Sequence, residues 1–142
     1  MHLAEYVVRD FINVERFCAP GCVAIIDDVY PEQQEMAERD RTFNAWCGDV
    51  YKIIPILKQY RPDLDVRVYE AFAGPYRKGV ALISGLTPDN TALSDNLGEI
   101  EAAIARGEYA VNSIDALTDL LPVHPVEEIE DVLQALAVTR QA

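Results

Sequence analysis

Asp27 and Asp28 stand side by side near the end of GCVAIIDDVYP, residues 21–31, where five apolar residues separate a glycine from two carboxylates and a proline follows. Two adjacent carboxylates can hold a hard divalent cation or share a proton, and their like charges are costly unless something stabilises them. The plainer alternative is a turn at a strand end, with Asp28 capping a helix that begins at Pro31. Other groups able to do chemistry are sparse. Cys18, Cys22 and Cys47 are an odd set; the first two are close enough to share a metal, but no second Cys pair or His pair completes a zinc site, so buried free thiols are expected. His2 opens the chain, and His124, between Pro122 and Pro125, reads as a loop residue. Trp46 and Asp49 read as packing and capping residues. Tyr76, Arg77 and Lys78 are the one local basic cluster and read as a solvated hairpin tip rather than an anion site.

The elements that must position these groups follow from periodicity. Leu3, Val7, Phe11, Val14 and Cys18 recur at helical spacing, with Tyr6 and Phe17 widening the stripe and Arg9, Asp10, Asn13, Glu15 and Arg16 opposite, which predicts a helix over residues 3–18. Pro20 and Gly21 end it. Residues 22–26 show no polar alternation, so a central strand covered on both faces is expected, as in a mostly parallel sheet between helices. The Asp pair then falls at the carboxyl end of that strand, where open α/β sheets bind ligands. After Pro31, residues 32–41 read as a short exposed helix forming one rim of the site.

Asp49 is placed to cap a helix carrying Val50, Ile53, Ile54 and Leu57, kinked at Pro55 and ended by Arg61, Pro62 and Asp63. DVRVYEAF and the later Val80 to Ile83 read as strands, antiparallel across so short a connection. Thr87 to Asn90 is turn chemistry; Leu93, Leu97, Ile100 and Ile104 mark a helix closed by Gly107. Leu117, Leu120 and Leu121 precede a break at Pro122 and Pro125, and Ile129, Val132, Leu133 and Leu136 give a last amphipathic helix. The expected fold is thus α/β in a single domain over residues 1–142, with about three strands, flanking helices and a helical extension over residues 98–142. So thin a sheet leaves an edge or face exposed, and something more, either further sequence or a partner chain, is expected to cover it.

The chain has 24 acidic against 12 basic residues, a formal charge of −12, which repels phosphate backbones and anionic membranes. Nucleic acid is therefore not expected as a partner. No apolar run approaches the length that spans a bilayer, and no basic segment followed by an apolar one opens the chain. The expectation is a soluble protein with no signal peptide, in the cytoplasm.

Taken together, HLAEYVVRDFINVERFCAPGCVAIIDDVYP, WCGDVYKIIPILKQYRPDL and GVALISGLTPDN make residues 1–97 resemble the C-terminal half of a class I S-adenosylmethionine-dependent methyltransferase. The closer resemblance is to metal-dependent O-methyltransferases. It implies part of a Rossmann-like sheet whose last two strands pair antiparallel. It also implies S-adenosylmethionine and Mg²⁺ as cofactors, Asp27 and Asp28 as two metal ligands, and His2 beside the place of a general base. The third metal ligand and the cofactor loop of the family lie upstream of Met1. The seven glycines contain no G-x-G-x-x-G, so no cofactor-binding residue is assigned.

The function expected from this resemblance is a truncated methyltransferase-like domain, inactive alone and self-associating as a homodimer, or completed by another chain. A second reading compares IIDDVYPE with the acidic pair of a response-regulator receiver, although the strand DVRVYEAF lacks the phosphoacceptor Asp and offers only Glu70. A third reading is a non-catalytic interaction module whose Asp pair is a relic.

Overall fold

The computed structural model describes residues 2–120 and 122–141; the expectations for Met1 and Leu121 lie outside the described residues. The chain runs through helix α1 (Ala4–Arg16), strand β1 (Ala24–Asp27), helix α2 (Ile53–Tyr60) and strand β2 (Asp65–Tyr69). A small hairpin of β3 (Phe72–Ala73) and β4 (Tyr76–Arg77) leads into β5 (Val80–Ser84). Helices α3 (Ala92–Asp95) and α4 (Leu97–Ala105), strand β6 (Val123–His124) and helix α5 (Glu128–Gln141) complete the order. Among the described residues no helix is long and apolar enough to cross a membrane.

The fold is α/β with a mixed four-stranded sheet, ordered β1-β5-β2-β6, and a separate two-stranded one. β5 lies antiparallel to both neighbours, Asp27 and Tyr69 both opposite Val80, so the expected antiparallel pairing of β2 and β5 is present. Two expectations are corrected here. β1 is not the central strand of a mostly parallel sheet: it is an edge strand, and Ile25 is 61% exposed. The strand covered on both faces is β5, where Ala81, Leu82 and Ile83 are consecutively buried. An unbroken apolar run marks a strand that can be covered on both sides, but its place in the sheet depends on which strands pair with it. The second correction concerns the C-terminal segment. It is not purely helical, because Val123 and His124 add a fourth strand parallel to β2, and His124 packs its ring 5.5 Å from Tyr69.

α1 packs against α2, α3 and α4, but its buried face is not the expected stripe. Ala4, Val8, Phe11 and Glu15 are buried, whereas Val14 and Phe17 are exposed. The helix is apolar on two sides. One side enters the core; the other, with Val7 and Val14, lines a groove beside β1. Glu15 is buried on the core side because Arg61, also buried, pairs with it at the end of α2, and Asp63 and the Thr87 N–H complete that cluster.

Two further segments depart from expectation. Residues 32–41 do not form an exposed helix; they contain one 3₁₀ turn, Gln34–Ala37, with Met36 and Ala37 buried. Such short turns suit a segment whose side chains are drawn inward at successive positions rather than along one stripe. Pro55 falls in the first turn of α2, after the 3₁₀ turn Val50–Lys52, where a proline is tolerated.

Candidate functional site

The groups singled out from sequence converge at the carboxyl end of β1. Asp28 follows the strand in a left-handed conformation, φ 64°, which a non-glycine residue adopts at a cost. Its backbone N–H donates to Asp27 Oδ1 at 2.8 Å, so the first carboxylate is turned back on the chain while the second is driven inward. Asp28 is 5% exposed. His2 Nε2 lies 3.0 Å from Asp28 Oδ2, and Lys78 Nζ lies 3.2 Å from Oδ1. Asp28 Oδ1 is buried and accepts no hydrogen bond, so the ammonium compensates its charge without an aligned N–H.

His2 is fixed by a loop distant in sequence. Its ring tilts against Trp46, centroids 5.0 Å apart, and the Trp46 Nε1–H donates to the Glu38 carbonyl at 2.7 Å. Gly48, at φ 61°, packs directly on the His2 backbone: a Cβ there would lie 1.8 Å from the His2 carbonyl oxygen. Asp49, expected to cap the helix after it, caps α1 instead. Its Oδ1 accepts the Ala4 N–H at 2.8 Å, while Oδ2 accepts from Arg39 Nη1 at 2.6 Å and Lys52 Nζ at 2.8 Å. Arg39 reaches on to both oxygens of Glu5 in the first turn of α1. Burial would raise the Asp49 carboxyl, but its hydrogen bonds to Lys52, Ala4 and Arg39 outweigh it and hold the pKa below the ordinary value.

Lys78 is brought to Asp28 by the β3–β4 hairpin. The Tyr30 N–H donates to the Lys78 carbonyl at 2.7 Å and the Glu32 N–H to the Arg77 carbonyl at 3.1 Å, extending a ladder along residues 30–32. The Arg77 guanidinium lies 3.9 Å from the centre of the Tyr30 ring, within cation–π range. Gly79, at φ 70°, leaves no space for a Cβ, which would meet Tyr30 Cβ at 2.3 Å. The exposed part of the hairpin is residues 72–75, not the basic cluster. Arg77 and Lys78 turn inward, drawn by the buried carboxylate and the Tyr30 ring.

In a neutral His2 the Asp28 contact holds the proton on Nε2 and leaves the lone pair on Nδ1, the arrangement that orients a general base. The ring remains part-exposed, with the groove beside β1 in front of it. That groove, about 550 Å³, is lined by His2, Val7, Phe11, Val14, Ile25 and Asp28 among others. Cys47 is not a nucleophile here: burial, with the Asp28 charge adding to it, pushes its thiol up to about 12. Cys18 and Cys22 are half-buried.

No family model, curated protein or solved structure matches the chain.

The cofactors implied by resemblance are tested by the residues present. Among the described residues no group of three or more His, Cys, Asp or Glu side chains is placed to hold a metal ion. Asp28 Oδ1 has no accessible surface, and a hydrated Mg²⁺ needs open room for its waters. The acidic pair, so arranged, does not fit the ion. Gly74 stands at a hairpin tip and Gly79 packs on Tyr30, so neither forms a cofactor loop at a helix start. His2, Asp27 and Asp28 were legible in the sequence. Lys78, Gly48 and the capping target of Asp49 were not; the one signal was a glycine directly before a capping residue, which named a turn without naming what packs on it.

Proposed function

We propose that this chain is the C-terminal part of a Rossmann-like class I methyltransferase fold, without catalysis of its own, that pairs with a second copy along β1. The observation that carries the reading is the meeting of His2 and Asp28 at the carboxyl end of β1, since the resemblance puts a His before the helix and an Asp pair after the strand at one site. Two further features support it. The last two strands of the unit, β2 and β5, pair antiparallel as the resemblance implies. Among the described residues the sheet stops at β1, whose outer side carries exposed Ile25 beside the groove. A receiver domain calls for a parallel sheet, and the antiparallel β5 gives that reading no support.

The test is the solution mass by light scattering. A dimer is expected for the natural sequence and a monomer for Ile25→Arg, whose charge would have to be buried in a paired edge. S-adenosylmethionine is then titrated into the dimer by calorimetry, and no heat beyond dilution is expected, because the glycines of the chain contain no G-x-G-x-x-G. A compact monomer of the natural sequence refutes the pairing and favours an interaction module. Cofactor uptake by the dimer refutes the absence of catalytic capacity.

A further inference from the structure

The Asp pair stands where the resemblance implies a divalent cation, and the geometry around it disagrees with that assignment. We propose that Lys78 is the resident counter-cation of Asp28, in place of a divalent metal, and that the natural site is thereby closed to Mg²⁺ and its analogues. The inference rests on reading Asp27 and Asp28 as the carboxylate pair of the methyltransferase-like fold.

Three of the four carboxylate oxygens of the pair are already engaged, both of those on the buried Asp28 among them. Asp28 Oδ1 faces the Lys78 ammonium at 3.2 Å and Oδ2 faces His2 Nε2 at 3.0 Å. Asp27 Oδ1 accepts the N–H of Asp28. A magnesium ion demands near-octahedral oxygen ligation at short distance and keeps several waters, but Oδ1 has no accessible surface for them. A dication at this carboxylate would also stand within a few ångströms of an ammonium of the same sign.

Lys78 is not a surface side chain that happens to reach the acid. Its backbone is held at both ends: its N–H donates to the Ala71 carbonyl at 2.8 Å, and its carbonyl accepts the Tyr30 N–H at 2.7 Å. Gly79 then packs on Tyr30 with no space for a side chain, which fixes the exit of the hairpin. The side chain is 18% exposed, so most of its length runs through protein before the ammonium meets the acid. A buried acid with a fixed amine partner is the arrangement expected of an ion pair made within the fold, and it leaves no room for the waters a magnesium ion keeps.

The experiment uses Mn²⁺ as the probe, with free ion measured by electron paramagnetic resonance in the presence of the full chain. The natural sequence is expected to bind no Mn²⁺ at millimolar concentration. Lys78→Met keeps an apolar stem and removes the charge; it is expected to gain a Mn²⁺ site at least about tenfold tighter than any in the natural protein, lost again when Asp28→Asn is added. Binding by the natural sequence that disappears in Asp28→Asn overturns the proposal, as does a folded Lys78→Met that gains nothing. Should Lys78→Met fail to fold, the ammonium resonance of Lys78 decides by nitrogen NMR: slow exchange that is lost in Asp28→Asn and unmoved by Mg²⁺ upholds the pair, and a rapidly exchanging or Mg²⁺-displaced signal refutes it. The broader reading fails on different measurements, the solution mass and cofactor titration. A metal-binding natural sequence would sink the Lys78 assignment and leave that reading standing.

Discussion

Replacing Asp49 with alanine should be the most damaging single change near the candidate site, although Asp49 touches neither His2 nor Asp28. Asp49 is 1% exposed and joins three partners: the Ala4 N–H, Lys52 and Arg39. Losing an N-cap costs about 0.5–2 kcal/mol. Removing one member of a buried ion pair costs about 3–5 kcal/mol, because the other charge is left uncompensated, and Lys52 is itself buried. Arg39 is spared this penalty, since Glu5 still accepts from it. The two costs overlap, as both are the loss of one carboxylate, so the expected total is about 3–5 kcal/mol. With an unfolding entropy of about 2.1 cal/mol/K per residue, the 142-residue chain should melt roughly 10–17 °C lower. Calorimetry and urea unfolding would measure both quantities. The companion is the double variant Asp49→Ala/Lys52→Met, in which neither charge remains; it should recover at least about half of the loss. A single-variant loss below about 1 kcal/mol, or a double variant no better than the single, would refute the idea that Asp49 anchors the start of α1 through a buried pair.

Other expectations follow from the same contacts. Gly48→Ala would set a methyl group 1.8 Å from the His2 carbonyl oxygen on a backbone at φ 61°, and should cost about 1 kcal/mol or more while removing the Trp46 ring-current shift from the His2 ring in proton NMR; an unchanged shift counts against the docking of His2. Acid should unfold the chain in a way that Asp49→Asn reduces. The native Asp49 carboxyl binds its proton less tightly than the unfolded one, so the stability it contributes is present above the ordinary carboxylate pKa of about 4 and is lost as pH falls through the lower native value. Urea midpoints measured from neutral pH downward would show the loss below about pH 4 in the natural sequence, and an equal loss in Asp49→Asn would contradict it.

Much of the element order could be read from periodicity, because helix stripes and turn residues act locally. α1 ends within two residues of its expected limits, and β2 and β5 pair as a short connection requires. What escaped the sequence is what depends on partners far along the chain. Glu15 looks like a solvated residue until Arg61 arrives from the end of α2 to pair with it. Val14 looks like core, yet faces the groove, because two apolar faces on one helix cannot both turn to the same sheet. β1 reads as central from its own residues, although β5, far along the chain, takes the inner place between β1 and β2. The candidate site follows the same rule. Asp27 and Asp28 announce themselves by adjacency, whereas Lys78 joins them only through the backbone ladder from Tyr30 to Glu32.

The two edges of the four-stranded sheet are unequal. β6 is two residues long, and it lies between Pro122 and Pro125, which have no N–H to donate to an incoming strand. β1 is longer and borders an open groove. Among the described residues the four-stranded sheet therefore has one edge open to strand addition. A second copy joined through β1 uses up the capacity of both partners, and the pair ends in two blunted edges. Under the proposed pairing, growth would stop at a closed twofold unit instead of propagating as a filament.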